Sequence, residues 1–138
     1  MIRCPPSVEG CYVCGPRHPH GLALTFRRRG RRVTTSFVVR RAHQGFRGIL
    51  AGGLLAHVFD CLTYRVPIAL GVVSAVTARL EVDYRRPVPV GRRLRFTARL
   101  VRRRGRVFEI TAHAQLGRAI AGEARAIYVE VPAAHILL

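Results

Sequence analysis

The sequence predicts an α+β protein: two strands, one central apolar helix and a meander of three or four long strands, whose sheet has one apolar face for the helix to cover. Three observations predict it. Apolar residues recur at a period of two before residue 40, at helical spacing over 52–66, and at a period of two again beyond residue 75. A lone helical segment between two strand-period regions leaves one apolar sheet face for one helix to cover. At 138 residues the chain suits one domain with a sizeable core and is too short for two, so 1–138 reads as a single domain.

The elements follow in order. Residues 1–20 are irregular, because Pro5, Pro6, Pro16 and Pro19 interrupt regular structure. Leu22, Leu24 and Phe26 then alternate with Ala23, Thr25 and Arg27, and Val33, Thr35, Phe37 and Val39 alternate with Thr34, Ser36 and Val38. The Arg28-Arg29-Gly30-Arg31 segment between them reads as a hairpin turn. Residues 41–51 form a glycine-punctuated loop. Leu54, Leu55, Val58, Phe59, Leu62 and Val66 predict the helix, and Pro67 is its stop signal. Val76, Ala78, Leu80, Val82 and Tyr84 then line one face of a long strand, with Thr77, Arg79, Glu81 and Asp83 on the other. Pro87, Pro89 and Gly91 make a turn. Strands follow over 94–100, 108–116 and 118–131, with bends at Gly105 and Gly117.

The bulk composition limits the function classes. No apolar run approaches the ~18 residues of a membrane helix, and the start lacks the apolar core of a secretory signal, so a cytoplasmic protein is expected. The net charge is +17, and all 24 basic residues are arginine; lysine and asparagine are absent. That charge invites a nucleic-acid reading. G/C-rich codon usage accounts for much of the arginine, and few aromatics interleave the basic runs, which disfavours a single-strand reader. Small anionic ligands bearing phosphate suit arginine better, since its planar fork binds phosphate bidentately.

The segment Gly52-Gly53-Leu54-Leu55-Ala56-His57-Val58-Phe59-Asp60 carries the chemistry. A helix that opens on two glycines presents bare backbone N–H groups and a partial positive charge, which suit a developing oxyanion. A carboxylate within an otherwise apolar helix is costly unless something uses it. Eight residues at ~1.5 Å rise separate Asp60 from Gly52 by about 12 Å, too far for both to touch one carbonyl. If they share a site, the second group comes from another copy of the chain, which predicts a symmetric dimer.

These residues sit within a longer series. Cys11-Tyr12-Val13-Cys14-Gly15 with Pro19 and Gly21-Leu22 is followed by His43-Gln44-Gly45-Phe46-Arg47-Gly48, then Gly52-Gly53 through Asp60. Thr77 and Tyr84-Arg85-Arg86-Pro87-Val88-Pro89-Val90-Gly91 complete it. The series resembles the hotdog-fold acyl-CoA thioesterases, and most closely their phenylacetate-pathway-type branch, from residue 11 onward. The resemblance implies an antiparallel sheet of five to six strands wrapped around one central helix, a homodimer or dimer of dimers with acyl-CoA at the subunit interface, and no metal or redox cofactor. It implies that the Gly52 N–H polarises the thioester carbonyl and that Asp60 acts as nucleophile or as base for water. It places Thr77 against the water or the carboxylate, and Gln44, Gly45 and Gly53 beside the substrate. Arg85 and Arg86, before the turn, are the candidates for the nucleotide phosphates. The chain departs from the family at two positions: Ala51 replaces the histidine usual before the glycines, and Gly45 replaces an asparagine. That departure favours a second reading, a hotdog protein that binds an acyl ligand without hydrolysing it.

Cys4, Cys11, Cys14, His18 and His20 invite a zinc reading, since Cys-x2-Cys is half of a common ligand set. A second such pair is missing from that stretch, and a loop with reduced thiols near the pocket is the plainer expectation. Cys61, beside Asp60 on the helix, reads as a packed residue.

Overall fold

Burial alternates along four of the six strands because every second side chain of an extended chain faces the same way, and here that side is apolar. The computed structural model describes residues 1–2 and 5–133. The strands are β1 (Arg27–Arg29), β2 (Arg32–Val38), β3 (Ala75–Tyr84), β4 (Arg93–Arg104), β5 (Val107–Leu116) and β6 (Ala119–Glu130), and the helix α1 spans Gly52–Ala69. They form one sheet in the order β1-β2-β4-β5-β6-β3, with every neighbouring pair antiparallel. The helix lies against this sheet, burying Leu55, Val58, Phe59, Leu62 and Val66. Phe59 meets the edge of the Phe96 ring at 5.4 Å between centroids, and Phe37 stacks on Phe96 at 6.0 Å, so three rings weld α1 to β2 and β4.

Two expectations need correction. The stretch Leu22–Phe26 is not a strand; it is held to the N-terminal loop, where Leu22 N–H donates to the Tyr12 carbonyl and Leu24 N–H to that of Val13. The alternation of Leu22, Leu24 and Phe26 marks burial of an extended segment, and the short strand comes later, at Arg27–Arg29. The helix also continues past Pro67 to Ala69. A proline this near the C-terminus loses one hydrogen bond and no more, and the end is satisfied by other means. Leu70 N–H donates to the Val66 and Pro67 carbonyls, and the Arg28 guanidinium caps the Ala69 carbonyl at 2.8 Å.

The two sheet edges differ. At one edge, β1 is three residues long and all arginine, which discourages pairing with another chain. At the other, β3 runs for ten residues and, among the described residues, pairs with β6 alone. A register shift between Thr77 and Arg79 marks a bulge at Ala78. The extra residue changes the phase of the strand, so Ala75 and Thr77 share the helix-facing side with Leu80 and Val82. The expected uniform alternation, with Thr77 opposite Leu80, is thereby overturned. This small defect positions the site.

Candidate active site

The middle of α1 carries Asp60, half-buried, and two neighbouring strands hold it. Thr77 Oγ1 on β3 donates to Asp60 Oδ1 at 2.8 Å. Tyr128 Oη on β6 reaches the same oxygen at 2.6 Å and the Asp60 carbonyl oxygen at 2.6 Å. Thr63 Oγ1, one turn further along the helix, bonds back to the Phe59 carbonyl and lies 3.1 Å from the Tyr128 hydroxyl. Tyr128 is 1% exposed. Its burial and the neighbouring Asp60 charge push the phenol well above its ordinary pKa of 10.0, so it stays a donor. Two hydroxyls converging on one oxygen fix the carboxylate in a single orientation, which suits a group that must address a water or a carbonyl.

Beside Asp60 opens a crevice of about 290 Å³, lined by Val8, Cys11, His57, Tyr64 and Val76 among others. Larger hollows of about 350, 360 and 410 Å³ lie near the end of α1, between residues 21–25 and β2, and over β2 and β4; one of them is lined by His43, and none by a carboxylate or thiol. The Asp60 crevice therefore has both space and chemistry.

The helix mouth is the second candidate element. Ala51 is its N-cap and provides no side-chain cap, and Gly52 and Gly53 are exposed. Leu54 and Leu55 N–H groups both bond to the Ala51 carbonyl, so the first-turn donors of the two glycines lie ahead of the helical ladder. Tyr84 Oη at the far end of β3 donates to the Gly52 carbonyl at 2.7 Å, and its ring stands 3.3 Å from where a Gly52 Cβ would be. One strand thus touches both elements: Thr77 near its start holds Asp60, and Tyr84 at its end holds Gly52.

The remaining expected residues fall into two groups. Gln44 and Gly45 lie in the loop before the helix; Gln44 Oε1 accepts from Gly48 N–H at 3.0 Å, and Gly45 N–H donates to Ile49. A Cβ at Gly45 would come within 3.1 Å of Ala51 Cα, so the loop packs tightly beneath the helix mouth. Arg85 is engaged in ion pairs with Glu123 at 3.0 Å and Asp83 at 3.9 Å, while Arg86 is exposed. His18 and His20 do not join the cysteines: among the described residues, Cys11 groups instead with His57 and Cys61. Cys4 lies outside the described residues. The sequence reading passed over Tyr128, whose signal is no more than a tyrosine at a strand position, and named Tyr84 as part of a motif without giving it a role. It also passed over the pairing of His57 with Cys61, which their four-residue spacing on one helix face does carry.

The thioesterase superfamily matches residues 47–118, just over half of the chain. No curated protein matches it in sequence. A thioesterase superfamily protein from Shewanella loihica is 24% identical, with a TM-score of 0.68 over 83% of this chain and 96% of that one. A phenylacetic acid degradation-related protein from Ralstonia eutropha is 22% identical, with a TM-score of 0.73 over 92% of each chain. A Streptococcus mutans protein bound to acetyl CoA is 16% identical, with a TM-score of 0.73 over 78% of this chain and 88% of that one. These neighbours share the wrapped sheet and single helix of the hotdog fold expected above. Among the described residues, no helix is long and apolar enough to cross a membrane. With a family match that spans Gly52, Asp60, Thr77 and Tyr84, the chain belongs to the thioesterase superfamily.

Proposed function

We propose that the protein hydrolyses an acyl-CoA thioester to a carboxylic acid and free CoA at a site shared by two copies of the chain. The observation that carries this reading is the pair of hydroxyls that Thr77 and Tyr128 aim at Asp60 Oδ1, within a crevice that has room for an acyl group. Asp60 takes a proton from a water as that water attacks the thioester carbonyl. The carbonyl oxygen becomes an oxyanion, which the backbone N–H of Gly52 on the partner receives at the helix mouth. The C–S bond then breaks, and the departing thiolate carries the proton away from Asp60.

The unpaired edge of β3 supports the shared site. Thr77 stands near one end of this strand and Tyr84 at the other, each bonded to one half of the machinery. A two-fold axis through the middle of β3 pairs the strand antiparallel with its copy and extends the sheet. The Thr77 end of one protomer then lies beside the Tyr84 end of the other, and Asp60 approaches the partner's helix mouth. The same pairing covers the exposed Val76 and Tyr84. Arg86, exposed at the end of that edge, serves the nucleotide phosphates; Arg85 is already committed to Glu123. The acetyl CoA bound to the Streptococcus mutans neighbour fits this assignment.

Steady-state hydrolysis across short, medium and aromatic acyl-CoAs tests the reading. Turnover that Asp60→Asn abolishes while acyl-CoA binding persists is the expected result. The observation favouring the second reading is Ala51, which puts a methyl where an imidazole would face the thioester. Tight, saturable binding of acyl-CoA by the wild type with no turnover would establish a binding protein instead.

A further inference from the structure

A cluster of thiols at the floor of the crevice is not used by the chemistry above. Cys11 Sγ lies 3.5 Å from Cys61 Sγ and 3.8 Å from His57 Nε2, and Cys61 Sγ lies 3.8 Å from Cys14 Sγ. The ligand atoms of Cys11, His57 and Cys61 all fall within 4.8 Å of one another. We propose that Cys11, Cys14, His57 and Cys61 bind one zinc ion that fastens the N-terminal loop to α1.

The distances favour metal over a disulfide. A tetrahedral zinc with Zn–S of ~2.3 Å and Zn–N of ~2.0 Å sets its sulfurs about 3.8 Å apart and its S···N edges about 3.6 Å apart. The separations of 3.5 Å between Cys11 and Cys61, 3.8 Å between Cys61 and Cys14 and 3.8 Å between Cys11 and His57 lie close to three of the six edges. A disulfide needs ~2.05 Å between sulfurs, would use two of the three thiols, and would strand the third beside an imidazole. Cys11, His57 and Cys61 already form one face of the tetrahedron, and Cys14, which touches Cys61, completes it by shifting its thiol toward that face.

The surroundings are built for a thiolate. The turn that carries Cys11 is closed by the Gly15 N–H, which donates to the Cys11 carbonyl at 2.8 Å. That turn closes because residue 15 is glycine: a Cβ there would lie 2.3 Å from the Glu9 carbonyl oxygen and 2.5 Å from Cys11 N. Three thiolates and a neutral imidazole around Zn²⁺ carry one net negative charge. Arg65, 1% exposed on the same helix and electrostatically linked to Cys14, supplies the balancing positive charge. The ligand spacing, Cys-x2-Cys in a loop with His-x3-Cys on a helix, is that of a closed structural site with no open position for substrate. Its role is to hold one wall of the crevice, where residues 5–20 carry no more regular structure than the single turn Pro6–Val8.

Metal analysis of protein purified without chelator tests this independently of any turnover. About one zinc per chain is expected for the wild type and for His18→Ala, and a loss of most of it for Cys11→Ser and Cys61→Ser. Because Cys61 is buried and its variant risks misfolding, a second measurement uses the wild type alone. Replacing zinc with cobalt is expected to give thiolate charge-transfer and tetrahedral ligand-field bands, and stripping the metal to lower Tm until zinc is restored. Substoichiometric zinc with no cobalt spectrum overturns the proposal, whether the thiols titrate as free or the intact mass reports an oxidised pair.

Discussion

Tyr128→Phe removes one oxygen and leaves the ring in place. In the wild type that hydroxyl reaches both the carbonyl and Oδ1 of Asp60 at 2.6 Å. Phenylalanine leaves the carboxylate with Thr77 and leaves Thr63 Oγ1 facing a small void. A hydrogen bond to a charged group is worth ~1.5–3 kcal/mol. At ~2.1 cal/mol/K of unfolding entropy per residue over 138 residues, that range converts to a fall in Tm of about 5–10 °C. If the same energy orients Asp60 in the transition state, kcat falls about ten- to a hundredfold, and KM is little changed because the bond is not made to substrate. Thermal melts and steady-state thioester hydrolysis with thiol capture measure the two effects. A purely structural tyrosine would lower Tm and spare kcat. A variant with wild-type Tm and wild-type kcat would refute the reasoning, because it would mean that the hydroxyl does not hold the carboxylate.

Further outcomes follow from the same geometry. Thr77→Val removes the more exposed of the two donors, so the expected cost in kcat is smaller, about 1 kcal/mol or fivefold, with Tm nearly unchanged. Gly15→Ala forces a Cβ against the Glu9 carbonyl and Cys11 backbone, so a loss on the order of 3 kcal/mol is expected in chemical denaturation. Burial, with the Arg40 charge adding to it, holds the His43 imidazole below its ordinary pKa of 6.5. The unfolded chain takes up that proton before the folded one does. The stability His43 contributes is therefore complete above about 6.5 and lost as the pH falls through the folded value. Tm measured downward from neutral pH is expected to fall more steeply for the wild type than for His43→Gln; equal slopes would contradict this.

The periodicities of the sequence placed five of the strands and the helix, because one apolar face per element is a local property. Residues 22–26 were misread for a physical reason: an extended segment bonded to a loop buries alternate residues as a strand does. The bulge at Ala78 was invisible, since inserting one residue changes phase without changing composition. Asp60 and Gly52 stood out because each is a residue type at odds with its setting, whereas Thr77, an ordinary strand residue, was singled out by the family resemblance alone. Tyr128 was not, since its partner lies 68 positions away and the final strand gives no hint that it crosses Asp60. The thiols divide in the same way. Cys11 and Cys14 announced themselves by spacing, whereas their meeting with Cys61 is set by how the N-terminal loop docks on α1.

The shared site is most directly tested by subunit complementation. Gly52→Pro deletes the proposed oxyanion donor at the first helical position, where proline is well tolerated. The preceding Ala51 already has the extended backbone a proline demands, at φ −60° and ψ 130°. The expected loss in kcat is about 10²–10³-fold, with the fold intact. Asp60→Asn disables the other half. When the two dead variants are unfolded together and refolded as a mixture, half of the dimers are hybrids, each with one intact site. Recovery of about a quarter of the wild-type rate is expected. A mixture as inactive as its parents, from dimers shown to have exchanged subunits, would contradict an active site built from two chains.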